Sequence, residues 1–355
     1  MFEVTCSDIQ SILTDYHILS DINHFEELQR YHYERKDPSS REVRLIIRVF
    51  LADGRSVVMR FKNEGDVSLE MLESQCRFAQ LLYDRGIPTP VQYQSGQSFA
   101  RWYTIGGYQV IVTVEEFAEG EIRVVDQVIA EKTGALLART HNIAEECDVH
   151  VTNDVIFDPF KHNDLLFYTD FAEIVSKLEG NVRILADQIT GKYQEYMEIL
   201  SPLRSEPRYA VQGDISQCNL YQTADSEIGL FDFKRSGDNN LYCDAVMQAI
   251  FEARLMDYPD GYARRSEGIV LPAFLRGYQS VRPFTVFQRQ MFPYLYALID
   301  AFWSMDIVWS ENSLQKAFER GDMKAMEDWL QIIWQRISHL RSMEEQGLDN
   351  LQPVS

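Results

Sequence analysis

"VQGDISQCNLYQTADSEIGLFDFKR", Val211–Arg235, sets two apolar runs around a polar loop. The runs "RYAVQ" (208–212) and "IGLFDF" (228–233) read as strands. Between and within them, Gly213 precedes Asp214, Asn219 follows five residues after that acid, and Asp232 stands inside the second run. A hairpin-like return would bring Asp214, Asn219 and Asp232 to one place. Asp and Asn oxygens are hard donors suited to Mg²⁺, which takes one or two protein ligands beside phosphates and water. No His or Cys accompanies them, which argues against zinc. The carboxylate left over beside a metal pair is what phosphoryl transfer uses to orient an attacking hydroxyl. Taken singly, each of these residues is an ordinary turn residue, so the rest of the chain has to decide.

Upstream, "SDIQSILTDYHI" (7–18) reads as a short helix with Ser7 as its cap. From about Glu26 to Lys62 the texture is that of strands, and Ala52-Asp53-Gly54-Arg55 marks a hairpin turn. Leu69, Leu72, Cys76, Ala79 and Leu82 recur at helical spacing, and Gly86, Pro88 and Pro90 end that helix. A further hairpin turns at Gly106-Gly107. After Gly120 the pattern becomes helical, beginning with a helix capped by Asp126. Helices are expected over about 164–178, 182–200, 243–256 and most of 283–346. The expected fold is α+β with two lobes: residues 1–118 a β-rich lobe built on an antiparallel sheet and one helix, residues 119–355 a mainly helical lobe.

Composition excludes several classes. The 355 residues are 45% hydrophobic and 25% charged, enough for a large core. A net charge of −20 repels nucleic acid and anionic membrane, and no basic stripe offsets it. The five cysteines are scattered and odd in number, without CxxC spacing, which speaks against a disulfide framework and for a reducing cytoplasm. There is no signal-peptide pattern and no run of about 18 apolar residues, so the reading is a cytoplasmic protein.

The order Gly213-Asp214-x-x-x-x-Asn219, then Phe231-Asp232-Phe233, then Asp244 resembles the aminoglycoside phosphotransferase and choline kinase superfamily, with its protein-kinase-like fold. The resemblance spans roughly residues 35–255. "SVVMRFK" (56–62) is similar to the family's third strand, "LESQCRFAQLLYDRGIPTP" (72–90) to the helix ending in its GxPVP signature, "TVEEFAEGE" (113–121) to its hinge, and "GALLARTHNI" (134–143) to a later helix. The resemblance implies an ATP- and Mg²⁺-dependent kinase, with GTP left open, acting on the hydroxyl of a small molecule. It implies a nucleotide-binding lobe over residues 1–118 and a lobe with the catalytic loop and substrate pocket over 119–355, with Asp214 as the catalytic aspartate and Asn219 and Asp232 as Mg²⁺ ligands. Glu116 and Ala118 would hold the adenine, Arg60 (with Lys62 as backup) the phosphates, and Asp244 would support the catalytic loop.

Departures from the family pattern are also legible. Gln212 replaces the usual His before Gly-Asp, and Gln75 falls where a Glu normally pairs with the cation, leaving Glu73 as the nearest inward acid. "KDPSSREV" (36–43) replaces a glycine-rich loop, so Ser39 and Ser40 with their N–H groups would cover the phosphates. Lys234 and Arg235 are unusual after Asp232 and would reach phosphates or an acid. These departures keep a nucleotide-binding pseudokinase or regulator as the alternative. A Ser/Thr protein kinase is disfavoured by the short span between Asp232 and Asp244. His141 reads as a structural residue of its helix. In "YLYALIDAFWSMDIVW" (294–309), Asp300, Trp303, Asp306 and Trp309 could cage a cationic acceptor, or the tryptophans could be core and the aspartates exposed. Nothing in the sequence fixes the oligomeric state.

Overall fold

Helix α1 (Cys6–Asp15) begins at Thr5, whose hydroxyl accepts from Asp8 N while the Asp8 carboxylate accepts from Thr5 N. This reciprocal cap, and not Ser7, starts the helix. The computed structural model describes residues 1–161, 163, 165–256, 265–346 and 348. Strand β1 (Ile22–Tyr31) and a one-turn helix α2 (Tyr33–Lys36) lead into β2 (Val43–Leu51) and β3 (Ser56–Asn63), joined by the expected turn at 52–55. Helix α3 (Leu69–Asp84) is capped by Ser68. Strands β4 (Ala100–Ile105) and β5 (Tyr108–Glu116) turn at Gly106-Gly107, and α4 (Gln127–Glu146) starts at its Asp126 cap. Then come α5 (Tyr168–Val175), α6 (Asn181–Ile199), β6 (Tyr209–Val211), β7 (Leu220–Gln222), β8 (Ile228–Leu230), β9 (Gly237–Asn239), α7 (Leu241–Leu255), α8 (Glu267–Val281), α9 (Val286–Ala301), α10 (Leu314–Glu319) and α11 (Met323–Ser338).

The chain divides into two compact units. The first comprises Met1–Glu121, Val149–Asn153 and Leu220–Ser236; the second comprises Ile122–Asp148, Asp154–Asn219 and Gly237–Ser355. The expected division at 118/119 stands beside the break at Glu121/Ile122, and two later segments join the first unit as well.

The first unit is built on an antiparallel sheet ordered β1-β2-β3-β5-β4. Alternation along β2 buries Val43, Leu45, Ile47, Val49 and Leu51 on one face. That face packs with Val57, Met59 and Phe61 of β3 against Ile9, Ile12 and Leu13 of α1. The opposite face carries Arg60 and Lys62 and lies toward α3, whose Leu72 packs with Ala100 and Ile111. Along α3, Gln75 and Phe78 are inside and Leu69 is exposed, so the buried stripe is turned from the one expected.

The stretch 211–236 does not fold as one hairpin. Strand β6 pairs with β9 in the second unit, while β7 pairs with β8 in the first. The expectation of one strand pair within a helical lobe is corrected accordingly. Three-residue strands carry too little period for sequence to show their partners.

In the second unit, α5 and α6 fall within expected helical regions, and the expected start at 164 lies outside the described residues. The 283–346 region is interrupted by a π-helical turn at Met305–Trp309. Helix α8 was not expected, because Gly268, Pro272 and Gly277 mask its pattern. Its glycine serves packing: a Cβ on Gly277 would sit 1.8 Å from Glu131 O on α4, and one on Gly134 of α4 would sit 1.9 Å from Phe274 O on α8. Among the described residues, no helix is long and apolar enough to cross a membrane.

Gly277→Ala should therefore force α4 and α8 apart, costing about 1–3 kcal/mol and lowering Tm by several degrees in a thermal melt. Gly191→Ala in α6, where nothing lies within 4 Å, should instead stabilise by up to ~1 kcal/mol. Equal Tm values for the two variants would refute the close helix contact.

Candidate active site

Within the first unit, β3 places Arg60 and Lys62 two residues apart on the same face of the sheet. Both line a cavity of about 160 Å³ with Arg44, Glu64, Asn153 and Lys234. Arg60 is 13% exposed; its Nη2 donates to Glu115 Oε1 at 2.5 Å and its Nη1 lies 3.8 Å from Asp232 Oδ1. Burial works against the guanidinium charge, but Glu115 and Asp232 outweigh it and keep the group protonated. For Lys62 the balance reverses: burial and the Arg60 charge bring its ammonium down to about 8.

Glu73, the acid expected beside Arg60, is engaged elsewhere. It accepts from Phe99 N at 2.7 Å and Ala100 N at 2.9 Å and pairs with Arg77 at 2.6 Å. The partner of Arg60 is Glu115 of β5. Arg60 is in register with Thr113, and Glu115 is the next residue along β5 on that face. Gln75 turns to the backbone instead of to Arg60: its Nε2 donates to Lys234 O at 3.0 Å and Ser236 O at 3.3 Å.

Asp232 follows β8 in a left-handed conformation (φ 57°), with Lys234 N donating to its Oδ1 at 3.4 Å. Burial pushes this carboxyl up, but Arg60, Lys234 and Lys62 together hold it below the usual carboxylate range. Glu116 ends β5, exposed, with its N–H on Val91 O, and Ala118 follows half-buried outside the strand. Ser39 donates through N and Oγ to Asp37 Oδ1 at 2.9 and 2.7 Å, and Ser40 N donates to Asp37 O at 3.0 Å. Both N–H groups expected to cover phosphates donate to Asp37.

The second unit holds the Asp214 loop. Gly213 takes φ 84°, a left-handed turn that suits glycine, and delivers the chain from β6 to Asp214. The buried Gln212 replaces a histidine by curling back: its Oε1 accepts from Asp214 N at 2.8 Å. Asn219 Nδ2 donates to Asp214 O at 2.8 Å, a bond that does not use its Oδ1. Asp244 meets His141 Nε2 at 3.2 Å, and His141 Nδ1 meets Tyr278 OH at 2.9 Å. Burial, only partly offset by Asp244, lowers the His141 pKa, so the ring is a neutral structural link as expected.

Sequence reasoning missed the support under this loop. Gln248 Oε1 of α7 accepts from Ile215 N at 2.9 Å. One turn on, Glu252 is fully buried with neither oxygen hydrogen-bonded among the described residues. Burial lifts its carboxyl to about 8, and the Asp214 charge pushes it further up. A buried glutamate in an apolar helix was the only sequence signal.

Asp300, Trp303, Asp306 and Trp309 form no cage. Asp300 is buried and accepts from Arg254 Nη2 at 2.8 Å, Arg254 lies 4.8 Å over the Trp303 ring, and Asp306 accepts from Arg336 at 2.6 Å. The chain supplies its own cations there. Trp303 is core, whereas Trp309 is 63% exposed.

Among the described residues no three His, Cys, Asp or Glu side chains gather as a metal-binding group. Within the first unit Asp232 offers a carboxylate, and within the second Asn219 offers an amide oxygen; each is a hard oxygen donor of the kind that Mg²⁺ accepts.

A family model described as the phosphotransferase enzyme family (APH) matches residues 47–284. The chain belongs to this family. No curated protein sequence matches it significantly. Among solved structures, amicoumacin kinase hAmiN in complex with AMP-PNP, Ca²⁺ and Ami is 15% identical with a TM-score of 0.54, covering 93% of each chain. The microcompartment-associated aminopropanol kinase is 14% identical with a TM-score of 0.54, covering 94% of this chain and 96% of its own. An aminoglycoside phosphotransferase from Alicyclobacillus acidocaldarius is 13% identical with a TM-score of 0.52, covering 88% of this chain and 93% of its own. Identities of this size show the shared kinase-like fold.

Glu252 gives this family member a measurable pH signature. Its folded pKa lies above the unfolded value, so the folded state binds the proton more tightly. Its stabilisation is complete below about pH 4.5 and is lost as pH rises through about 8. Glu252→Gln should be more stable than wild type at pH 9, by up to roughly 4 kcal/mol, with the gap closing toward pH 5. Chemical denaturation across that range checks it; parallel pH curves for the two proteins would exclude a protonated Glu252.

Proposed function

We propose that this chain is a kinase that transfers the γ-phosphate of ATP to a hydroxyl of a small molecule. Family membership supports the class of reaction, and the observation that carries the reading is the buried Arg60, fixed by Glu115 and facing Asp232. In this reading Arg60, with Lys62 beside it, binds the α- and β-phosphates. The backbone of Glu116 and Ala118 receives the adenine. Asn219 and Asp232 hold Mg²⁺, which supplies charge neutralisation on the phosphates. Asp214, its backbone fixed by Gln212, Asn219 and the Gln248–Ile215 bond, orients the acceptor hydroxyl and receives its proton.

The acceptor is left as a small hydroxylated molecule. Its positive charge loses the support of Asp300 and Asp306, which Arg254 and Arg336 already neutralise. Gln212 in the histidine position favours a second reading, a nucleotide-binding regulator that transfers nothing.

One set of measurements separates these. Millimolar Mg·ATP should raise Tm, with Mg·GTP and a non-hydrolysable ATP analogue compared beside it, and Asp232→Ala should abolish the rise. Asp214→Asn should keep the nucleotide-induced shift while lowering kcat by about 10²–10⁴-fold, read as ADP release with a panel of amino alcohols and aminoglycosides. Wild-type turnover in Asp214→Asn would remove its assigned role, and no Tm shift with any nucleotide would remove the kinase reading. A shift without transfer to any acceptor in the panel would favour the regulator.

A further inference from the structure

The sequence Phe231-Asp232-Phe233-Lys234 places a lysine two residues beyond the carboxylate, and the structure shows where that lysine goes. Lys234 Nζ lies 3.5 Å from Asp232 Oδ2, while Arg60 Nη1 faces the other oxygen, Oδ1, at 3.8 Å. Both carboxylate oxygens thus have a cation of the chain itself beside them.

The backbone at Lys234 is held by two side-chain amides, while its side chain is partly exposed. Gln75 Nε2 donates to Lys234 O and Ser236 O at 3.0 and 3.3 Å, and Asn153 Nδ2 donates to the same two oxygens at 3.3 and 3.1 Å. Phe233 is buried against Phe78, edge to face, with ring centres 5.9 Å apart. The Lys234 side chain is 40% exposed, with no other ion pair than Asp232 among the described residues. It lines two adjoining spaces: the small one containing Asp232, and the 160 Å³ cavity lined by Arg44, Arg60 and Lys62. A long, flexible ammonium on an anchored backbone can serve either space by rotating its own side chain.

We propose that Lys234 is a resident counter-cation of Asp232. It neutralises this carboxylate when no divalent ion is bound and turns to the phosphates when a metal–nucleotide complex takes its place. The proposal rests on the reading of Asp232 as a metal ligand. It makes Lys234 a positioning residue with two consequences of opposite sign: the lysine competes with the bare metal ion and assists the metal–nucleotide complex.

The test uses Mn²⁺ as probe, followed by its electron paramagnetic resonance signal with the full-length chain. Lys234→Met keeps the apolar stem and removes the charge; it should bind Mn²⁺ about tenfold more tightly than wild type without nucleotide, and Mn·ATP several-fold more weakly. Lys234→Arg should restore both values toward wild type. A Lys234→Met protein that binds Mn²⁺ no more tightly than wild type overturns the proposal, leaving the lysine an ordinary surface ion pair. Asp232→Asn separates the underlying reading: if it binds Mn·ATP as wild type does, Asp232 is not a metal ligand and both ideas fall. Loss of Mn·ATP binding in Asp232→Asn, together with unchanged Mn²⁺ affinity in Lys234→Met, sinks the counter-cation alone.

Discussion

A guanidinium on a buried strand face has to be answered by an acid, and in this protein the Arg60–Glu115 pair meets that demand at 2.5 Å. The two residues lie on adjacent strands, offset by one same-face position, so the pair forms only when β3 and β5 hold their register. A slip by one residue would turn Arg60 into the apolar core around Met59 and Phe61 and swing Glu115 to the side where Val114 packs. Removing one partner of such a pair costs about 3–5 kcal/mol, since the other charge stays buried and unanswered. Replacing both by apolar residues would cost much less. The pair is therefore better explained by what it positions than by the stability it contributes. Gln92 reinforces it, donating to the second Glu115 oxygen at 3.0 Å.

The same logic explains why Asp232 sits in a left-handed conformation that most residues avoid. Its carboxylate is offset by Arg60 and Lys234, and the following backbone is gripped by Gln75 and Asn153. Strain of about 1–3 kcal/mol in one residue persists only where its surroundings over-determine it. Asn153 belongs to a five-residue segment, Val149–Asn153, that clusters with the first unit although its neighbours in sequence do not. Contiguity along the chain is thus a poor guide to which residues build this part of the molecule.

That distinction separates what was legible in the sequence from what was not. Local spacing revealed α3, α4, both hairpins of the large sheet and the loop residues Asp214 and Asn219. Arg60 carried no weight as a lone basic residue on a strand and was singled out only by the family resemblance of the segment 56–62. The sequence left the acid that pairs with Arg60 open, with Glu73 the nearest by helical periodicity, because Glu115 lies 55 residues away and is brought close only by strand pairing. The aspartates of the 294–309 stretch were misread for a related reason. Their cations, Arg254 and Arg336, are 46 and 30 residues distant and come from other helices. Short-range pattern gives a residue's face; its partner is a long-range fact.

Helix α7 shows how such partners accumulate on one element. Asp244, Gln248 and Glu252 are spaced at four and form a stripe along it. Asp244 is held by His141 and Asn239, Gln248 fixes the amide after Asp214, and Glu252 lies beneath the same loop. Arg254, two residues past Glu252 and so about 200° around the helix, serves a different network with Glu267, Asp300 and Trp303. A helix buried nearly all round would normally be apolar throughout. This one carries polar groups on opposed sides, and each satisfied group fixes a neighbouring element at a defined position. Glu252 is the exception within the stripe, since its oxygens have no hydrogen-bond partner among the described residues and it stays uncharged at neutral pH. A full negative charge on Glu252 would stand against that of Asp214, so the neutral Glu252 avoids a like-charge pair beneath the loop.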